Sequence, residues 1–160
     1  MFAEEARTRG VQSQTILGDW PDVAAHTPNC DVVICHHVFY NVQALEPFIR
    51  ALDDHADVRV VVELPLHHPL SSLSDLWLKF WDLERPASPT AHDALAVVRS
   101  LGFTASIELF DVETPAKPIT PIDVEHTRIR LCLPESKDAE IAEALSFRPS
   151  LPRQLATIWW

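Results

Sequence analysis

Two adjacent histidine pairs, His36-His37 and His67-His68, are the residues whose type best suits chemistry. A neutral imidazole ligates transition metals, and near neutral pH it takes and returns protons. Successive side chains on an extended segment point to opposite sides, so a shared ion is not the expectation, and no metal is expected. No H-E-x-x-H or H-x-H spacing supports one. Each pair follows an apolar, β-branched run, CDVVIC (30–35) and VRVVVEL (58–64), and so stands just beyond a strand end. His37 and His67 are therefore the candidate proton acceptors or substrate-orienting groups, against the plain alternative of loop histidines with no chemical task. Cys35 closes the first run, where a free cysteine behaves as a small hydrophobe and has no activating cation beside it.

The elements that must carry these residues follow from periodicity. CDVVIC and VRVVVEL read as strands buried on both faces, as in a parallel sheet. Leu45, Phe48, Ile49 and Leu52 recur at helical spacing, with Pro47 tolerable only in the first turn. Ser72 and Asp75 suggest a capping box for a helix whose apolar stripe is Leu73, Leu76, Trp77, Phe80 and Trp81. Thr90 caps a further helix through Leu101, stopped by Gly102. Residues 1–9 read as the last turns of a helix, and VQSQTIL (11–17) as a short strand closed by Gly18-Asp19-Trp20-Pro21. Beyond 103, FTASIELF (103–110) and HTRIRLCL (126–133) alternate as strands, with an irregular connection at 113–123 between them. A helix opens at Ser136 and runs to about Leu145. The segment from Phe147, ending in Ile158-Trp159-Trp160, reads as a tail whose tryptophans form a docking anchor or an exposed patch. Alternating strands and helices indicate an α/β domain with a mostly parallel sheet and a late antiparallel strand pair.

Composition removes several classes. The chain has 160 residues, 47% hydrophobic and 22% charged, enough for one domain with a core. Acidic residues outnumber basic ones 23 to 13, a net charge of −10 that disfavours binding a nucleic acid. No apolar run approaches the roughly 18 residues that span a bilayer, and no signal peptide is visible. Three cysteines with no C-x-x-C argue against a disulfide framework or structural zinc, and a reducing cytoplasm is the simplest setting. There are three glycines, Gly10, Gly18 and Gly102. No G-x-G-x-x-G turn or Walker loop can be built from them.

Several junctions taken together resemble the C-terminal two-thirds of a class I S-adenosylmethionine-dependent methyltransferase. These are a strand ending in Gly18-Asp19-Trp20, the segment DVVICHHVFYN with its amphipathic helix, VRVVVELP leading to a His-Pro loop, and a closing strand pair. The resemblance covers about residues 1–147 as one partial domain, with 148–160 as a C-terminal tail. It implies a Rossmann-like fold and S-adenosylmethionine as cofactor. It implies that Asp19 bonds the adenine amine, that Trp20 packs on the adenine ring, and that Cys35 and His36 line the methionine part beside the substrate. The carboxyl ends of strands are where open α/β sheets bind ligands.

The glycine loop and the strands around it in that family have no counterpart here. The expectation is therefore a truncated domain that binds cofactor weakly alone: a shortened chain, a remnant without catalysis, or a half completed by a partner. The leading reading is methyl transfer to a small-molecule oxygen, carbon or nitrogen, since the Asn-Pro-Pro-Tyr type motif of amide and nucleobase methyltransferases is missing. A different class of reading is a non-catalytic interaction module, pairing with itself through an exposed sheet edge or the aromatic helix. A third is a hydrolase using His36, His37 and His67.

Overall fold

The computed structural model describes residues 2–113, 117–148 and 152–160. Within them β1 (Cys30–His36), β2 (Ala56–Pro65), β3 (Ser106–Val112) and β4 (Arg153–Trp159) form one sheet in the order β1-β2-β4-β3. β1 and β2 run parallel, and β4 runs antiparallel to both β2 and β3. Three of the four strands thus share a direction, and the late antiparallel pair is β3 with β4.

Two helices cover one face of the sheet. α2 (Leu45–Asp54) buries Phe48, Ile49 and Leu52, and Pro47 falls in its first turn, where its missing N–H is harmless. α4 (Ala91–Ser100) begins at a capping box in which Thr90 and Asp93 satisfy each other's backbone N–H. Their apolar stripes meet Val60, Val62, Leu64, Ala156 and Ile158 in the main core. α3 (Ser74–Trp81), α5 (Pro121–Arg130) and α6 (Asp138–Ser146) gather around a smaller cluster of Leu73, Leu76 and Leu131. The Trp81 indole donates to the Leu131 carbonyl at 2.7 Å, and Arg128 pairs with Asp138 at 2.9 Å. α1 is the short helix Phe2–Thr8.

Several sequence expectations are corrected. Residues 11–17 form no strand: among the described residues they have no ladder partner, and Leu17 is 97% exposed. β1 is buried on one face, not two. Cys35 reaches the core, whereas Val32 and Ile34 are 44% and 70% exposed, because the helices cover a single side. HTRIRLCL lies mainly in α5, which starts at a second capping box, Thr120 with Asp123, and carries Pro121 at its first position. Val124, Thr127 and Leu131 are buried there at helical spacing, while Ile129, which fitted the strand alternation, is 58% exposed. The partner of β3 is therefore β4, and the terminal tryptophans belong to the sheet rather than to a loose anchor. Ser72 caps no α-helix; it sits in a 3-10 turn, Pro69–Leu73, that is capped by His68, and its hydroxyl donates to the Pro69 carbonyl. The connection at 113–123 and the segment 148–160 lie partly outside the described residues, at 114–116 and 149–151.

Candidate active site at the strand ends

The carboxyl ends of β1 and β2 bring three polar side chains together. Register sets His36 directly beside Glu63. In-register neighbours on adjacent parallel strands project to the same face, and His36 Nε2 lies 2.6 Å from Glu63 Oε1. His37 prolongs the ladder by one bond, its N–H donating to the Glu63 carbonyl at 2.8 Å. Its backbone then turns left-handed, at φ 57°. That turn cancels the alternation of an extended chain, so the His37 ring comes back beside His36, centroids 4.4 Å apart. His37 Nε2 lies 3.7 Å from the same Glu63 oxygen. Burial, then the charges of His36 and Arg153, hold the His37 imidazole below its ordinary pKa, with Glu63 pulling the other way. The ring is thus neutral at physiological pH.

Glu63 escaped the reading of the sequence. Its signal was present: it is the acid that interrupts the apolar half of VRVVVEL, and an ionisable group in such a run needs a partner.

The other predicted residues are spread around this centre. Cys35 faces the core beneath it, and burial pushes its thiol up to about 11. His67 is exposed and forms a single antiparallel bridge with Thr90. His68 is the structural member of its pair: its Nδ1 accepts from the Leu70 N–H at 3.1 Å, and its ring meets Tyr40 edge-on. The Tyr40 hydroxyl lies 2.9 Å from the Pro65 carbonyl and 3.1 Å from that of Leu66, tying the turn after β1 to the loop after β2. Asp19 is exposed. Trp20 is half-buried against α2; its indole N–H points at the Phe48 carbonyl at 3.4 Å and its ring meets His55 at 5.0 Å. The strand-end trio and Trp20 therefore have separate surroundings.

Two recesses among the described residues are lined by other side chains than the trio. A cavity of about 170 Å³ beside Tyr40 is lined also by Leu45, Leu64, Pro89, Thr90 and Asp93. It is below the roughly 300 Å³ from which ligand pockets start. A larger recess of about 700 Å³ lies between α3 and α6, among Asp75, Leu76, Lys79 and Phe147, and holds none of the predicted site residues. The chemistry of the donors, not the hollow, locates the candidate site.

No protein-family profile matches this chain, and no curated protein matches it. Solved structures do. A SAM-dependent methyltransferase from Archaeoglobus fulgidus superposes with a TM-score of 0.50 at 16% identity, over 99% of this chain and 80% of that one. The YcgJ protein from Bacillus subtilis superposes with a TM-score of 0.50 at 12% identity, over 98% and 74%. The fold is that of the class I methyltransferases.

At these identities the similarity concerns architecture. For a methyltransferase fold it locates the sheet, the flanking helices and the late antiparallel pair. The trio His36, His37 and Glu63 stands at the carboxyl ends of the parallel pair β1 and β2. No helix of the described residues is long and apolar enough to cross a membrane.

Proposed function

We propose that this chain is a methyltransferase-type domain acting on a small molecule, with S-adenosylmethionine as methyl donor. The observation that carries the reading is the His36–Glu63 contact of 2.6 Å at the carboxyl end of the parallel strand pair. S-adenosylmethionine brings an already activated methyl group, so the protein's part is alignment, exclusion of water and removal of one proton. His37, neutral and next to Glu63, is the proton acceptor for a substrate hydroxyl or amine. Glu63 fixes His36, and exposed His67 orients the substrate from the neighbouring loop. Asp19, being exposed, can accept from an exocyclic amine. Trp20 can stack on adenine only after the 18–23 loop releases it from Phe48 and His55. Cys35 is buried in the core on the other face of β1 from His36.

The test is calorimetric titration of S-adenosylmethionine and S-adenosylhomocysteine into the purified chain, with Asp19→Ala as control. Saturable binding that the control loses supports the reading. A folded sample that binds neither ligand at millimolar concentration removes it.

A second reading draws on β1. Among the described residues it pairs on one side only, with β2, and Val32 and Ile34 are exposed beside its open edge. An open apolar edge is a template for pairing, and two copies joined edge to edge would cover it. Sedimentation across a concentration series reads this directly: a dimer that Ile34→Lys dissociates supports it, and a monomer at every concentration ends it.

A further inference from the structure

We propose that His36, His37 and Glu63 form a binding site for a divalent transition-metal ion of the zinc class. The site uses the same trio as the proposed proton transfer, and its test needs neither the methyl donor nor a substrate; an ion bound there takes the His37 nitrogen that would otherwise accept the proton.

Three observations carry it. First, two imidazoles and a carboxylate offer one ligand atom each, all within 4.8 Å of one another. Second, both Nε2 atoms converge on one oxygen, Glu63 Oε1, at 2.6 and 3.7 Å. A tetrahedral ion with bonds of ~2.0 Å holds its donors about 3.3 Å apart, a spacing between the two His–Glu distances. Third, the arrangement depends on a special backbone state. The left-handed turn at His37, a non-glycine residue, is what brings adjacent rings to one side. Residues held with positive φ are uncommon and concentrate at functional sites.

The donor set selects the ion. Two nitrogens and one carboxylate oxygen suit zinc, cobalt, nickel, copper or ferrous iron, and suit calcium and magnesium poorly, since those prefer all-oxygen shells. Three protein ligands leave at least one position for water or for an oxygen or nitrogen donor from outside. His36 is more than half exposed, so that position is reachable. His37 Nδ1 has no hydrogen-bond partner among the described residues, and a ligating imidazole normally anchors its second nitrogen. The site is therefore of moderate affinity, micromolar rather than nanomolar.

The test uses the whole chain, stripped with a chelator and dialysed. Zinc chloride is titrated by calorimetry, and cobalt chloride is followed by its visible absorption. Circular dichroism confirms that each variant is folded. The expected result is one ion per chain and an intense cobalt spectrum of a four-coordinate site. His36→Ala, His37→Ala and the near-isosteric Glu63→Gln each weaken it by about tenfold or more. His92→Ala and His126→Ala, at exposed histidines elsewhere, leave it unchanged. No binding by the folded wild type overturns the proposal. Binding that survives in folded Glu63→Gln and His37→Ala overturns it equally, because the ion then sits on other histidines.

Discussion

The indole N–H of Trp160 donates to the carboxylate of Asp53 at 2.9 Å, tying the end of β4 to the end of α2. The same residue exchanges both backbone bonds with Val60, at 3.1 and 3.2 Å, and stacks on Phe103 at 5.7 Å. Trp160→Ala removes aromatic contact, a hydrogen bond and sheet-edge cover together. Urea unfolding is expected to show a loss of about 3 kcal/mol. Asp53→Asn, which keeps an acceptor in place, is expected to cost less than half of that.

The two threonine caps give the protein an acid limit. Backbone and hydroxyl bonds from Thr90 hold the Asp93 carboxyl below its ordinary value of 3.8, and Thr120 does the same for Asp123. A carboxyl lowered in the folded state lends stability above its unfolded pKa, and loses it as pH falls through the folded value. Melting temperature is thus expected to fall below about pH 4. Thr120→Ala costs about 1 kcal/mol at neutral pH, and its difference from wild type narrows in acid.

The three cysteines are expected to separate by reactivity. Cys30 and Cys132 are exposed, whereas Cys35 is buried with its thiol raised to about 11. A chromogenic disulfide reagent near pH 8 should titrate two thiols promptly in the folded chain, and the third only in denaturant. Prompt reaction of all three would show that the core around Cys35 is open.

Tyr40 is the only tyrosine in the sequence, so its titration can be read alone. Burial, with a smaller contribution from Asp93, raises its hydroxyl to about 12. Phenolate absorption is expected to appear only above that pH or on unfolding. Tyr40→Phe removes the bond to the Pro65 and Leu66 carbonyls and should cost about 1 kcal/mol.

Much of the architecture was legible because it is written in local patterns. α2, α4 and β2 announce themselves by periodicity, and Thr90 by its capping box. What escaped was non-local or two-valued. Ile129, Leu131 and Leu133 fit a strand alternation, while Val124, Thr127 and Leu131 fit a helix over the same stretch; packing of Leu131 against Leu73 and Leu76 decides for the helix. β4 looked like a tail because its justification is the gap between β2 and β3, a property of the sheet and not of its own residues. The histidines were found, but their convergence was not. The alternation rule that kept them apart assumes extended backbone, and the positive φ at His37 breaks that assumption.

β4 is made last of the four strands yet lies between two that precede it. During synthesis β3 has no neighbour to pair with until residues 153–159 leave the ribosome. Before that moment the edge of β2 away from β1 presents a bare ladder to solvent or to any chaperone within reach. Closure of the sheet is then a single late insertion, joining Val61 and Ser106 through Trp159. Such long-range pairing is slow to form, and the waiting intermediate is the state most exposed to aggregation. Slowing translation ahead of this strand would lengthen the exposure without changing one contact of the finished fold.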